Sequence, residues 1–161
     1  MEAILFLVHP NDLEKLIVQA ETPQDVLESS LLHQSLYLGD AWESLHEILQ
    51  TPDLVQSALS YVIQAEHPLS ERNVGKAVTY NTVVRTDEIY HALEKIHVDE
   101  VKKHYQFSAT VITQQLQTQE LKLAELKLIY LQLQDLYRDA AQQNMAVLSV
   151  IQDGIQPAKL I

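Results

Sequence analysis

A chain of 161 residues with a formal net charge of −11, 47% apolar residues and no cysteine reads as one ordered acidic domain. The missing thiols exclude disulfides, thiolate metal sites and cysteine nucleophiles. The charge is uneven. Residues 1–66 carry eleven Asp and Glu against Lys15 alone, and residues 67–161 carry eleven acids against ten bases. An acidic first part repels phosphate backbones, which disfavours nucleic acid, and it suits either a basic protein partner or plain solvation. No basic leader precedes the run Ala3–Val8, and nothing approaches the ~18 apolar residues that span a bilayer. A cytoplasmic location with no membrane contact is the expectation.

In chain order, Ala3–Val8 is a continuous apolar run of strand length, expected to be covered on both faces. Pro10 opens a helix with Leu13, Leu16, Ile17 and Ala20 at helical spacing. Thr22-Pro23 places a cap before a proline and predicts a second, short helix through Val26 and Leu27. Residues 33–39 form a connector with a short strand at 36–38. The stretch Leu38–Leu49 holds the only tryptophan. Asp40 and Glu43 have capping-box spacing, and Trp42, Leu45, His46 and Leu49 share one helical face. Thr51-Pro52 ends this helix and opens another, with Val55, Ala58, Leu59 and Val62 on one side.

Residues 67–75 read as a loop, and 76–84 as a strand with Val78, Tyr80 and Val84 on one side. Thr86 is the expected cap of a helix that buries Ile89, Leu93 and Ile96, and a shorter helix follows over 99–105. Residues 110–143 form helix nearly throughout, with a break expected near 113–118. Asn144 takes the left-handed place that ends it, 146–151 is a further strand, and 152–161 is a tail. The long helix has two apolar stripes. Leu126, Ile129, Tyr130, Leu133, Leu136, Tyr137 and Ala140 form the wide one. Leu121, Ala124, Leu128 and Leu131 form a second, which is either sandwiched inside the domain or bound to another chain.

These signals, in this order, resemble the YfbM-like family, catalogued as domain of unknown function 1877. The likeness rests on Ala41-Trp42 with Leu45-His46, Gly75-Lys76-Ala77 and Thr86-Asp87-Glu88-Ile89. Tyr137-Arg138-Asp139-Ala140-Ala141 and Ala146-Val147-Leu148 complete it. It covers residues 36–151, with agreement only in outline over 1–35. Gly39-Asp40 stands where the family has Asp-Lys, Gln64-Ala65 replaces Gly-Gly, and Asn144 replaces a glycine. The resemblance implies a single α+β domain over 1–161. It implies no activity, cofactor, catalytic residue or metal ligand.

The residues offer little chemistry of their own. Gly75-Lys76 lacks the phosphate-loop pattern, since Ser70 and Ala77 stand at two required positions, and no Gly-x-Ser-x-Gly elbow occurs. Seven histidines show no paired metal-ligand spacing. Asp87 with Glu88, and Glu94 with Asp99 and Glu100, serve helix dipoles and solvation. The expected fold is α+β, with a small sheet over about 3–8, 76–84 and 146–151, packed by several helices with the long C-terminal helix central. No catalytic residue, metal site or cofactor is expected. The leading functional expectation is a non-enzymatic protein-binding module, in one form an immunity-type protein that covers a basic surface. The alternatives are a small-molecule binder or enzyme with a pocket at Trp42, His46 and Tyr80, and a homo-oligomer, such as a homodimer, using Leu121, Leu128 and Leu131 as a seam.

Overall fold

The computed structural model describes residues 1–51, 57–70, 75–105 and 116–155. Its centre is a five-stranded antiparallel sheet in the order β2-β1-β5-β4-β3. The strands are β1 (Glu2–Val8), β2 (Ser35–Gly39), β3 (His67–Ser70), β4 (Gly75–Asn81) and β5 (Ala146–Gln152). The helices are α1 (Pro10–Gln19), α2 (Pro23–Leu27), α3 (Trp42–Leu49), α4 (Val83–Glu94), α5 (Val98–Tyr105) and α6 (Leu116–Gln143), with a 3-10 turn at Ser57–Tyr61. The expected α+β class with a long C-terminal helix is what the chain adopts.

β1 and β5, far apart in sequence, form the middle of the sheet, paired from Glu2 with Gln152 to Val8 with Ala146. Both are apolar on both sides because helices cover both faces. Ala3, Leu5, Leu7 and Val147 pack against α3, α4, α5 and α6. Ile4, Phe6, Val8, Leu148 and Val150 pack against α1 and α2. The antiparallel sheet is therefore the middle of three layers, with its main core on the α6 side.

Several local signals act as the sequence predicts. Thr22 caps α2 by accepting from the Asp25 amide at 3.2 Å. Asp25 returns a carboxylate oxygen to the Thr22 amide at 3.1 Å, a complete capping box. Asn144, at φ 53°, ends α6 in the left-handed region. The Met145 amide reaches the Ala140 carbonyl at 2.9 Å, which closes a Schellman motif.

Other boundaries differ. The N-cap of α3 is Ala41 in helical conformation, and no side chain among the described residues caps it. Gly39, at φ +59°, turns the chain first, so Asp40 sits too early to act as the cap. Helix α4 starts at Val83, where Thr82 accepts from the Arg85 amide at 3.2 Å. Thr86 therefore lies inside α4 with a buried hydroxyl that has no partner among the described residues. Val83 and Val84 favour strands by propensity, yet the cap and the packing of Ile89 and Leu93 draw them into the helix. Residues 67–70, expected as loop, are the edge strand β3, where Pro68 is tolerated because an edge leaves one side unpaired. The expected helix after Pro52 is seen only as the 3-10 turn, and its start at 52–56 lies outside the described residues. α6 is regular from Leu116, so 116–118 hold no break, and 110–115, with the first half of the expected break, lie outside the described residues.

One interior feature comes from polar side chains. The segment Tyr61–Glu66 crosses the α6 face of the sheet, and side chains bind its backbone. Asn81 donates to the Tyr61 carbonyl at 2.7 Å and accepts from the Glu66 amide at 3.0 Å. Tyr137 donates to the Val62 carbonyl at 2.5 Å, and Ser149 to the Ile63 carbonyl at 2.6 Å. Thr79 accepts from the Ala65 amide at 3.0 Å. A buried irregular backbone needs such partners, because an unmet buried polar group costs ~1–3 kcal/mol.

Candidate functional site

α3 carries Trp42 and His46 one turn apart. Trp42 is buried, and its indole N–H donates to the Met1 carbonyl at 3.1 Å. The ring centroids of Trp42 and His46 are 6.3 Å apart. His46 is half-buried; its Nδ1 is buried with no partner among the described residues, and burial lowers its pKa. Burial therefore disfavours its protonated form. Tyr80 lies elsewhere. Its strand alternation places it on the α1–α2 side of the sheet with Val78, where its ring lies 5.3 Å from that of His67. Trp42 and Tyr80 thus face opposite layers, and the sheet separates them.

A cleft of about 130 Å³ does open beside Trp42, but at the first turn of α3. Asp40, Ala41 and Ser44 line one wall, Lys122 and Glu125 the other, and Tyr105 and Leu126 close its base. Tyr105 and Leu126 are 6% and 2% exposed, and burial raises the Tyr105 pKa. Sequence reading missed this constellation. Asp40 looks like a cap, and Lys122 with Glu125 looks like an ordinary i,i+3 surface pair. Only the packing of α3 on α6 brings them together.

The second stripe of α6 faces outward. Leu121, Leu128 and Leu131 are 67%, 58% and 44% exposed, and Ala124 between them is exposed as well. The first stripe is buried throughout, and Tyr130 and Tyr137 are both fully covered. Tyr130 donates to the Ile96 carbonyl at 2.6 Å, so these hydroxyls serve the interior. Burial raises both tyrosine pKa values.

Several other polar pairs lie at or near the surface. His91 sits between Asp87 at 3.5 Å and Glu94 at 3.6 Å, and His97 lies 3.2 Å from Asp99. Arg85 binds Glu66 at 2.8 Å and Glu88 at 2.7 Å; its hydrogen bonds to Glu66 hold that carboxyl below its usual range. Gly75-Lys76 opens β4, and residues 71–74 before it lie outside the described residues. Among the described residues no group of three or more His, Asp or Glu side chains is placed to hold a metal ion. No helix among them is long and apolar enough to cross a membrane.

Residues 1–150 match the family model described as "Domain of unknown function (DUF1877)". The chain belongs to this family. The match includes the first 35 residues, where the likeness read from the sequence was only one of outline. A solved relative of this fold is YfbM from Escherichia coli, described as a protein of unknown function. It aligns with a TM-score of 0.69 and 18% identity over 94% of this chain and 100% of that one. At that identity the likeness is one of fold. No curated protein matches the chain.

Proposed function

We propose that this protein is a non-enzymatic binding module that docks a basic, amphipathic segment of a partner protein on the outer face of α6. The observation that carries the reading is the exposed row of Leu121, Leu128 and Leu131. Each leucine, about half exposed, forgoes about half of the ~1.5–3 kcal/mol that full burial contributes, and a row of them marks a contact surface. The neighbouring surface selects the partner. Asp40, Glu43 and Glu47 are exposed at and along α3, and Glu120 and Glu125 are exposed along α6. A partner segment with apolar residues at helical spacing and Lys or Arg beside them complements both features. A second copy of the chain fits less well, because two protomers of net charge −11 repel one another. An immunity-type protein covering a basic surface is one form of this module.

The test is affinity capture from host lysate at low and high salt, with wild type and the Leu121→Lys/Leu128→Lys variant side by side. The expected result is a stoichiometric basic protein that high salt releases and the variant does not capture. Equal capture by the variant, or no capture at low salt, overturns the reading. So does a dimer in solution that the variant returns to monomer, because the occupant of the face is then a second copy.

A further inference from the structure

The cleft at the start of α3 shares Asp40 and Glu125 with the acidic surface beside the leucine row and has a chemistry of its own. Two carboxylates, Asp40 and Glu125, and one ammonium, Lys122, line it with the hydroxyl of Ser44. Among the described residues none of these four side chains makes a hydrogen bond or an ion pair. Three other charged pairs on the surface do close. Arg138 pairs with Asp135 at 2.9 Å, Arg85 with Glu88 at 2.7 Å and Lys15 with Asp12 at 3.5 Å, each over the same i,i+3 spacing that separates Lys122 from Glu125. The larger, open groove between Lys15 and Ser30 offers no comparable set, because its carboxylate, Asp25, is committed to the α2 cap.

We propose that this cleft binds the ammonium and carboxylate of a free amino acid, the ammonium between Asp40 and Glu125 and the carboxylate toward Lys122 and Ser44. Charge balance selects this class. A simple cation leaves Lys122 unmatched and repelled, and a simple anion meets two carboxylates. A molecule with both charges on adjacent carbons answers both walls at once. The uncapped first turn of α3 adds the positive end of a helix dipole on the Ser44 side, which favours a carboxylate there. The buried Tyr105 and Leu126 at the base lower the local dielectric and strengthen both pairs. Size agrees as well. About 130 Å³ is enough for an amino-acid backbone with its side chain at the open mouth.

The experiment is an amide NMR titration of the full chain with glycine and the common L-amino acids, beside acetate and methylamine as single-charge probes. At least one amino acid is expected to give saturable shifts at residues 41–44 and 122–126, with acetate and methylamine at least about tenfold weaker. Glu125→Gln and Lys122→Gln, both at exposed positions, should each weaken binding about tenfold and leave the rest of the spectrum unchanged. Lys127→Gln on the same helix should bind as wild type. Absence of saturable shifts with every amino acid overturns the proposal. Equal binding of acetate or methylamine, or unaltered binding by both glutamine variants, does the same.

Discussion

The amide of Asn81 and the hydroxyl of Tyr137 lie 3.4 Å apart in the core, and they bind the carbonyls of two consecutive residues, Tyr61 and Val62. A strand and the long helix thereby hold one piece of irregular chain between them. The pair works as a unit, so its energetics should not be additive.

Asn81→Ala is expected to cost ~3 kcal/mol, because it strands the Tyr61 carbonyl and the Glu66 amide in the interior. Tyr137→Phe, which opens no cavity, should cost ~1–2 kcal/mol. Urea unfolding of both single variants and the double variant gives the coupling. A double variant whose loss equals the sum of the singles would show that the two groups act separately.

Asn144 tests the end of α6. Asn144→Ala should lose ~1 kcal/mol, since alanine has no side chain to ease the left-handed conformation at φ 53°. Asn144→Gly should be close to neutral, because relief of strain offsets the added freedom of the unfolded chain. Thermal unfolding of the pair decides it: equal losses for both would mean that the side chain of Asn144, and not its backbone angle, is what matters.

His46 predicts a pH response. Burial lowers its pKa below the ordinary 6.5, so the unfolded chain takes up a proton at a pH where the folded chain does not. Stability attributable to this group is full above pH 6.5 and declines as the pH falls from there through the folded value. His46→Gln should flatten that part of the stability profile. A profile between neutral pH and pH 5 that is identical in wild type and variant would rule His46 out as its source.

Leu128→Lys concerns the outer face of α6. At 58% exposure the side chain contributes little to folding, so stability should change by less than about 0.5 kcal/mol. A loss of several kcal/mol on urea unfolding would mean that the stripe is packed within the domain, and the docking reading would fail with it.

The features that could be read from the chain are those encoded within a few residues. Thr22-Pro23 with Asp25 specifies the α2 cap, Asn144 the end of α6, and the spacing from Leu126 to Ala140 its buried face. The features that escaped reading depend on distant partners. Alternation along β5 points Ser149 into the core, but nothing near it in sequence announces the Ile63 carbonyl it serves. Thr82 and Thr86 are both credible caps, and only packing decides between them. The charged cleft follows the same rule, since Asp40 and Lys122 become neighbours only when α3 docks on α6.

The pairing of β1 with β5 also bears on how the chain comes off the ribosome. The middle of the sheet cannot form until everything between Val8 and Ala146 has been made. Until then the apolar run Ala3–Val8 lacks its partner on that side, and it presents an unpaired edge to other nascent chains. The central pair of the sheet therefore closes only once β5 has emerged, and until then the first strand, paired with β2 alone, is the apolar segment left open on its other side.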